Sequence, residues 1–173
     1  MLLDYDPDDI DVRISELLVA THESADPMLD PQVQEVLAML REKLHMDVAF
    51  VSRFTSDEQV YESVSRRKGS SGLDVIQAGN AYALESSWCQ QVVAGRAPQF
   101  VADPQRLMDE GTLPRNDLGI QAFFSTPVLM GDGQVYGTLC CLSLRPHEGD
   151  GEVDLRRLQW TARLLADRVA PPA

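Results

Sequence analysis

The sequence predicts an α+β fold built on an antiparallel sheet, and three observations carry that prediction. Apolar residues recur at helical spacing in the first 45 residues and again in the last 20. Between these ends, two β-rich runs at 47–54 and 59–66 flank a short polar tip, the pattern of a hairpin. A third run, VYGTLCCLSL at 135–144, is apolar almost throughout and follows the turn signal Gly131-Asp132-Gly133. Strands arriving in neighbouring pairs, with helices mostly at the ends, give α+β rather than alternating βαβ architecture.

The elements follow in chain order. Residues 8–20 read as a helix through Ile10, Ile14, Leu17 and Leu18. Residues 21–31 hold two prolines, Ser24 and three acids, and read as a linker. Asp30-Pro31 opens a second helix, Asp as cap and Pro at the first helical position, with Val33, Leu37, Leu40 and Leu44 on one stripe. After the hairpin, the Gly- and Ser-rich stretch from Arg66 to Gly72 reads as a loop, and 73–84 as a further loop with a helical turn. Ser86 or Ser87 caps a helix from Trp88 to Ala94, which Gly95 ends. Pro98–Ala102 reads as a short strand, and Asp103-Pro104 opens a helical stretch to about Glu110. Ile120–Met130 reads as a strand interrupted at Pro127. The run 134–144 reads as the central strand, covered on both faces. The last helix, 152–169, sets Leu155, Leu158, Ala162, Leu165 and Val169 at 3-4-3-4 spacing, a heptad seam facing the chain's own helices or a second copy.

The chain of 173 residues carries 27 Asp or Glu against 15 Lys or Arg, a net charge of −12, with 44% hydrophobic and 6% aromatic residues. That length and hydrophobic fraction suit one globular domain plus an extension, with a core that needs neither disulfides nor a metal. The acid surplus argues against a phosphate-binding nucleic-acid surface and against docking on anionic membranes. The acidity is uneven. Residues 1–30 hold nine acids and one base, Arg13, so two thirds of the net charge precedes a nearly balanced body. The expected division is an acidic helix and linker over 1–30, a domain over 31–170 and a tail over 171–173. The acidic helix reads as a solvated or partner-facing extension.

No leader-like segment opens the chain, and no apolar run nears the roughly 20 residues of a membrane span. The cysteines, Cys89, Cys140 and Cys141, are odd in number and two are adjacent, which is no disulfide framework and fits a reducing cytoplasm. No His/Cys cluster has zinc spacing, so neither a metal nor a cofactor is expected. Cys89 reads as a small buried residue, with a redox-active thiol as the alternative. Cys140 and Cys141 read as core packing. His22, His45 and His147 are isolated and read as surface residues. Arg66-Arg67-Lys68 reads as a solvated loop, with attraction of an anionic ligand as the alternative.

Four stretches together resemble a GAF domain, a small-molecule sensor module of bacterial signalling proteins. LREKLHMDVAFVSRF (40–54) is a helix running into a strand. SWCQQVVAGRAPQFVADP (87–104) gives a helix, a Gly-x-x-Pro turn, a short strand and Asp. GIQAFFSTPVLMGDGQVYGTLCCLSLRP (119–146) gives paired strands about Gly-Asp-Gly. The terminal helix 152–169 completes a resemblance that covers about 31–169, in a subgroup similar to the GAF modules of bacterial cyclic di-GMP enzymes and sensor kinases. With little chain after 169, a stand-alone cytoplasmic module is expected.

The resemblance implies a central antiparallel sheet of five to six strands, with N- and C-terminal helices packed on one face. A short helix and loops would cover a pocket on the other. Phe50, Ser52, Tyr61, Ser63, Trp88, Cys89, Val92, Phe123 and Ser125 are the ligand-pocket candidates, taken from residues expected to share strand faces and from the covering helix. Such modules commonly dimerise through a helix bundle, which makes Leu37, Leu40, Leu44, Leu155, Leu158, Ala162 and Leu165 the dimer-seam candidates.

The implied function is binding an unidentified small molecule and signalling through helix-bundle homodimerisation, with a signalling protein as a possible further partner and no catalytic residue. The departures from ligand-specific patterns matter. Bilin-attaching GAF domains usually place His after the helix Cys, where Gln90 stands. The cyclic-nucleotide signature would need Phe where Gln105 precedes Asp109-Glu110, and an Asn-Lys pair that does not occur. GAF enzymes that reduce free methionine sulfoxide need cysteines in pocket loops, and 103–119 has none. The alternatives are a structural dimerisation or protein-interaction module with a filled pocket, and a methionine sulfoxide reductase-like enzyme using Cys89.

Overall fold

The protein is described here from a computed structural model over residues 10–19 and 31–169. The linker, the Asp30 cap, His22 and the 171–173 tail lie outside the described residues. The chain runs α1 (Ile10–Val19), α2 (Pro31–Lys43), β1 (Val48–Phe54), β2 (Glu58–Arg66), β3 (Ala81–Ala83), α3 (Trp88–Val93), β4 (Phe100–Val101), α4 (Pro104–Asp109), β5 (Ala122–Leu129), β6 (Val135–Ser143) and α5 (Gly151–Val169). The α+β expectation is met by a six-stranded sheet of order β3-β2-β1-β6-β5-β4. Every pairing is antiparallel.

The two middle strands explain the apolar run of β6. Successive side chains on a strand point to opposite faces, and both faces of this sheet are covered. Ala49 and Val51 of β1, Leu139 and Cys141 of β6, and Ala122 and Phe124 of β5 face the helices. Val48, Phe50, Cys140, Leu142 and Phe123 face a second core beneath α3, α4 and the loops. Gly137 lets β6 approach β1. A Cβ there would lie 1.8 Å from the Ser52 carbonyl oxygen, a backbone atom that cannot swing away.

Three devices set the joints. His45, at φ 56°, ends α2, and the Met46 N–H closes on the Arg41 carbonyl at 2.8 Å. Asp47 then clamps the start of β1. Its Oδ2 accepts the Leu144 N–H at 2.8 Å and the Ser143 hydroxyl at 3.2 Å. Its Oδ1 accepts Arg67 Nε at 2.7 Å and Arg145 at 3.4 Å. Gly133, at φ 86°, closes the β5–β6 turn through its N–H to the Met130 carbonyl at 2.8 Å.

The sequence reading needs correction in several places. β3 forms inside the 73–84 stretch expected as loop, where Gln59 pairs with Tyr82. A three-residue strand is too short to show a period. β5 is not interrupted at Pro127, which pairs with Thr138; the register shifts one step later, between Val128 and Leu129. β4 pairs only with Phe123 and Phe124, so no strand on the far side of Pro127 needs its missing N–H. His147 is not a surface residue: its side chain is 3% exposed, edge-on to Phe100 and Phe124, with Nε2 2.9 Å from Asp154.

The helix layer corrects two further expectations. α2 covers β1 and β2, α5 covers β5 and β6, and α1 packs against both helices. Ile14 and Leu18 of α1 are buried in the same cluster as Leu37 and Leu165. Asp11 of α1 meets Arg157 of α5 at 2.9 Å. The acidic helix is therefore part of the bundle, not a solvated extension. The dimer-seam candidates are filled from within: Leu37, Leu40, Leu44, Leu158, Ala162 and Leu165 are buried, and Leu155 packs half-buried against them. Six of the seven are sealed against this chain's own helices and sheet, and Leu155 alone keeps part of its surface exposed.

Three measurements test this account. Gly137→Ala is expected to cost about 3 kcal/mol or more in chemical denaturation, because backbone must move. Leu158→Ala should cost about 2–5 kcal/mol and leave the oligomeric mass by light scattering unchanged; a change in that mass would restore the seam. For Asp47 the hydrogen bonds and the Arg67 charge outweigh burial and lower its pKa. Its stabilisation is present above the unfolded carboxyl value, about 4, and is lost as pH falls through the lower folded value. Asp47→Asn should then cost about 2 kcal/mol at pH 7, with wild type and variant converging in acid.

Candidate functional site

The face of the sheet opposite the helix layer holds a cavity of about 50 Å³, open on one side. Its floor is Phe50 of β1, Tyr61 of β2, Phe123 of β5 and Leu142 of β6; Trp88 and Cys89 of α3 form a wall. Loop residues Val75, Ile76, Asn116 and Leu118 edge it. Room on this scale admits a few water-sized molecules.

Local sequence chemistry holds each wall. Ser87 caps α3, its Oγ accepting the Gln90 N–H at 3.3 Å. The Ser87 hydroxyl also donates to Gln59 Oε1 of β2, which ties the cap to the sheet. Trp88 donates its indole N–H to the Pro114 carbonyl at 2.7 Å, fixing the 110–121 loop beside α3. Trp88 meets Phe123 edge-to-face at 5.5 Å, and Phe50 meets Tyr61 likewise at 5.0 Å. On the open side, the Arg66 guanidinium donates to the Leu73 and Ile76 carbonyls and holds the 73–76 loop over the cavity. Arg66 is thus a strut rather than an anion trap.

Five of the nine expected pocket residues line the cavity: Phe50, Tyr61, Trp88, Cys89 and Phe123. Four do not. Ser52 is buried under the floor, bonded to Thr138 across the strands at 2.7 Å. Val92 is buried in the packing of α3, and Ser125 lies beneath Cys89. Ser63 is on the other face. The register shifts between Val51 and Ser52: Val51 pairs with Ser63 but Ser52 pairs with Tyr61, so Glu62 is the extra residue of a β-bulge. A bulge breaks the alternation that put Tyr61 and Ser63 together. Glu62 accordingly accepts hydrogen bonds from Arg53 at 2.8 Å and from the Tyr136 hydroxyl.

The sequence reading missed Gln59, Tyr82, Ser87 and Leu142, along with the loop residues that edge the cavity. Gln59 follows from Tyr61 by the period of two along β2. Tyr82 could be placed only once β3 was known.

No Asp, Glu, Lys, Arg or His lines the cavity. Its titratable groups are phenols and one thiol. Burial pushes the Tyr61 phenol well up, reinforced by Cys89, Cys140 and Tyr82 nearby, so it stays a neutral donor. Burial also opposes ionisation of Cys89, but hydrogen bonding from Cys140, Thr138, Ser125 and Gln59 outweighs it and brings the thiol down to about 7. Gln59 Nε2 donates to that sulfur at 3.5 Å. Cys140 moves up, through burial and its contact with Cys89. Cys141, on the helix face, is pushed by burial up to about 12. Among the described residues no three His, Cys, Asp or Glu side chains gather as a metal site, and no helix is long and apolar enough to cross a membrane.

Comparison with known proteins gives this geometry a family. A search of curated proteins finds no significant sequence match. Among solved structures, the GAF domain of an Acinetobacter phosphoenolpyruvate-protein phosphotransferase aligns with TM-score 0.67 at 12% identity, over 91% of this chain and 90% of that one. The free methionine-R-sulfoxide reductase from Neisseria meningitidis aligns with TM-score 0.66 at 17% identity, over 98% and 95%. The chromophore-binding domain of Stigmatella aurantiaca phytochrome P1 aligns with TM-score 0.65 at 11% identity, over 98% and 63%. At such identities the likeness is one of fold. The sequence model of the GAF domain matches residues 32–170. The chain belongs to the GAF domain family.

Proposed function

We propose that this protein is a regulatory module, not an enzyme, whose cavity binds a small uncharged molecule and reports it through the helix layer. The observation that carries the reading is the lining: five of its residues from the sheet and α3 are aromatic, and none is Asp, Glu, Lys, Arg or His. Transferring a charged ligand into such surroundings without a counter-charge costs several kcal/mol. A neutral molecule with one hydrogen-bond acceptor loses less, because Tyr61 lines the cavity and its phenol stays protonated. Cyclic nucleotides and carboxylates are disfavoured on the same ground. The response would reach a signalling partner, or a second copy, on surfaces other than the buried leucine stripe.

The small size of the cavity favours one competing reading, a structural module whose pocket is filled by its own side chains. Thermal melts against matched panels separate them. Neutral probes of about four heavy atoms, acetamide and dimethyl sulfoxide, at 100-fold over Kd should add about 2.7 kcal/mol, or roughly 5–10 °C in Tm for a chain of this size. Anionic analogues should not. Ile76→Phe, which places a ring into the cavity, should remove the shift while leaving the far-UV circular dichroism intact. Shifts from anions alone would overturn the uncharged-ligand reading. No shift from either panel would leave the filled-pocket module.

A further inference from the structure

Cys89 is not an isolated thiol. It is buried, but it forms part of the cavity wall, and it packs in the same cluster as Cys140 of β6, which lies between Phe50 and Ser125 in the sheet and whose thiol is beside the Cys89 sulfur. Cys140 is fully buried one layer below and does not line the cavity. Around the same sulfur stand Gln59 Nε2 at 3.5 Å and the hydroxyls of Thr138 and Ser125. Ser125 is fully buried, and its hydroxyl makes no full hydrogen bond, the Cys89 sulfur being the polar group beside it. Packing alone asks for none of this polarity. Val or Ala at 89 and 125 would fill the space without burying hydroxyls and thiols that need partners.

We propose that Cys89 and Cys140 form a peroxide-responsive thiol pair, with Cys89 the residue oxidised and Cys140 the residue that resolves it. The cavity fits the reagent. Hydrogen peroxide has two heavy atoms and no charge, and a space of about 50 Å³ open on one side admits it. The Cys89 thiolate attacks one peroxide oxygen; the S–O bond forms as the O–O bond breaks, and hydroxide leaves and takes up a proton as water. The Cys140 sulfur then attacks the sulfenic sulfur, forming the S–S bond. The sulfenic oxygen leaves with the hydrogen it already carries and takes up the Cys140 proton, as a second water. Two electrons pass from the two thiols to one peroxide, and the net products are one disulfide and two waters.

The surroundings assign the roles. Cys89 is the sulfur whose residue lines the cavity and is held toward the thiolate by its polar neighbours, whereas Cys140 is held toward the thiol. Cys141 points to the helix face, away from both. The disulfide would tie α3 to β6 through the cavity wall, so oxidation would alter the pocket whether or not it takes a ligand.

The test oxidises the full chain with stoichiometric hydrogen peroxide, alkylates the remaining thiols in denaturant and maps them by mass spectrometry. The expected product has lost two hydrogens, keeps one alkylated cysteine, Cys141, and yields a linked pair of peptides carrying Cys89 and Cys140. The rate should rise with pH through a midpoint near 7. Cys89→Ser should slow thiol loss by more than about tenfold, and Cys140→Ser should accumulate a sulfenic acid at Cys89 that dimedone traps. Equal oxidation of Cys141, or a wild-type chain that keeps three free thiols, overturns the proposal. Mapping the wild-type chain decides the matter even if either variant fails to fold.

Discussion

A sheet buried on both faces is the constraint from which the rest of this molecule follows. Its inner strands can expose neither face to water, so β1 and β6 are apolar at nearly every position and their polar groups must be bonded in place. The Ser52–Thr138 pair at 2.7 Å shows how: two hydroxyls buried on neighbouring strands satisfy each other. Gly137 removes the one side chain that would hold those strands apart. Asp47 fixes where β1 enters, with both carboxylate oxygens occupied by the end of β6 and the two arginines. Once these central strands are set, one face must be sealed by helices and the other by something smaller, because a short α3 and loops are what the remaining chain supplies.

That asymmetry produces the site. The helix face is sealed by α2 and α5, with α1 packed against both, and its contacts are large aliphatic side chains from all three. The other face is covered by six-residue helices and by loops tied down individually, through Trp88 to Pro114 and Arg66 to the 73–76 carbonyls. Short elements tied at points leave a gap between the ties. A cavity over Phe50, Tyr61 and Phe123 is therefore a consequence of how this face is closed, and its neutrality follows from its position over the apolar middle of the sheet.

The legible part of the fold was the part governed by periodicity and caps. The stripes of α2 and α5, the hairpin, the Gly-Asp-Gly turn and the Ser87 cap each depend on residues close in sequence. What escaped depends on pairing between distant segments. Whether Ser63 faces the pocket depends on a bulge at Glu62, which one strand read alone does not show. Tyr82 joins the site only because β3 finds the edge of β2. The heptad stripe of α5 turns inward at Leu158, Ala162 and Leu165, but periodicity cannot say against what, and here the answer is the chain's own helices and sheet. Cys89 was visible as a thiol on a covering helix; its partner Cys140, about 50 positions away, became visible only through the sheet.

Physical continuity between the two faces runs through β5. Phe123 stands under Trp88 in the cavity, and the next residue, Phe124, stacks on Phe100 at 4.4 Å on the helix side. Phe124 also meets His147, which pairs with Asp154 of α5; Asp154 lies 3.7 Å from Arg157, and Arg157 reaches Asp11 of α1 at 2.9 Å. Contact alone does not make a signal. A ligand shifts a population only by its difference in affinity between two arrangements, and this sheet, packed on both faces, resists gradual deformation. Under the proposed reading the elements that would reseat are α3, held by its Ser87–Gln59 and Trp88–Pro114 bonds, and α1, joined to the bundle by Ile14, Leu18, the Asp11–Arg157 pair and the Arg168 bonds to the Leu17 and Leu18 carbonyls. One borders the cavity and the other ends the chain of contacts. A response to occupation or oxidation of the cavity would thus be a change in how α3 seats on the sheet, read out as a change in how firmly α1 seats on α5.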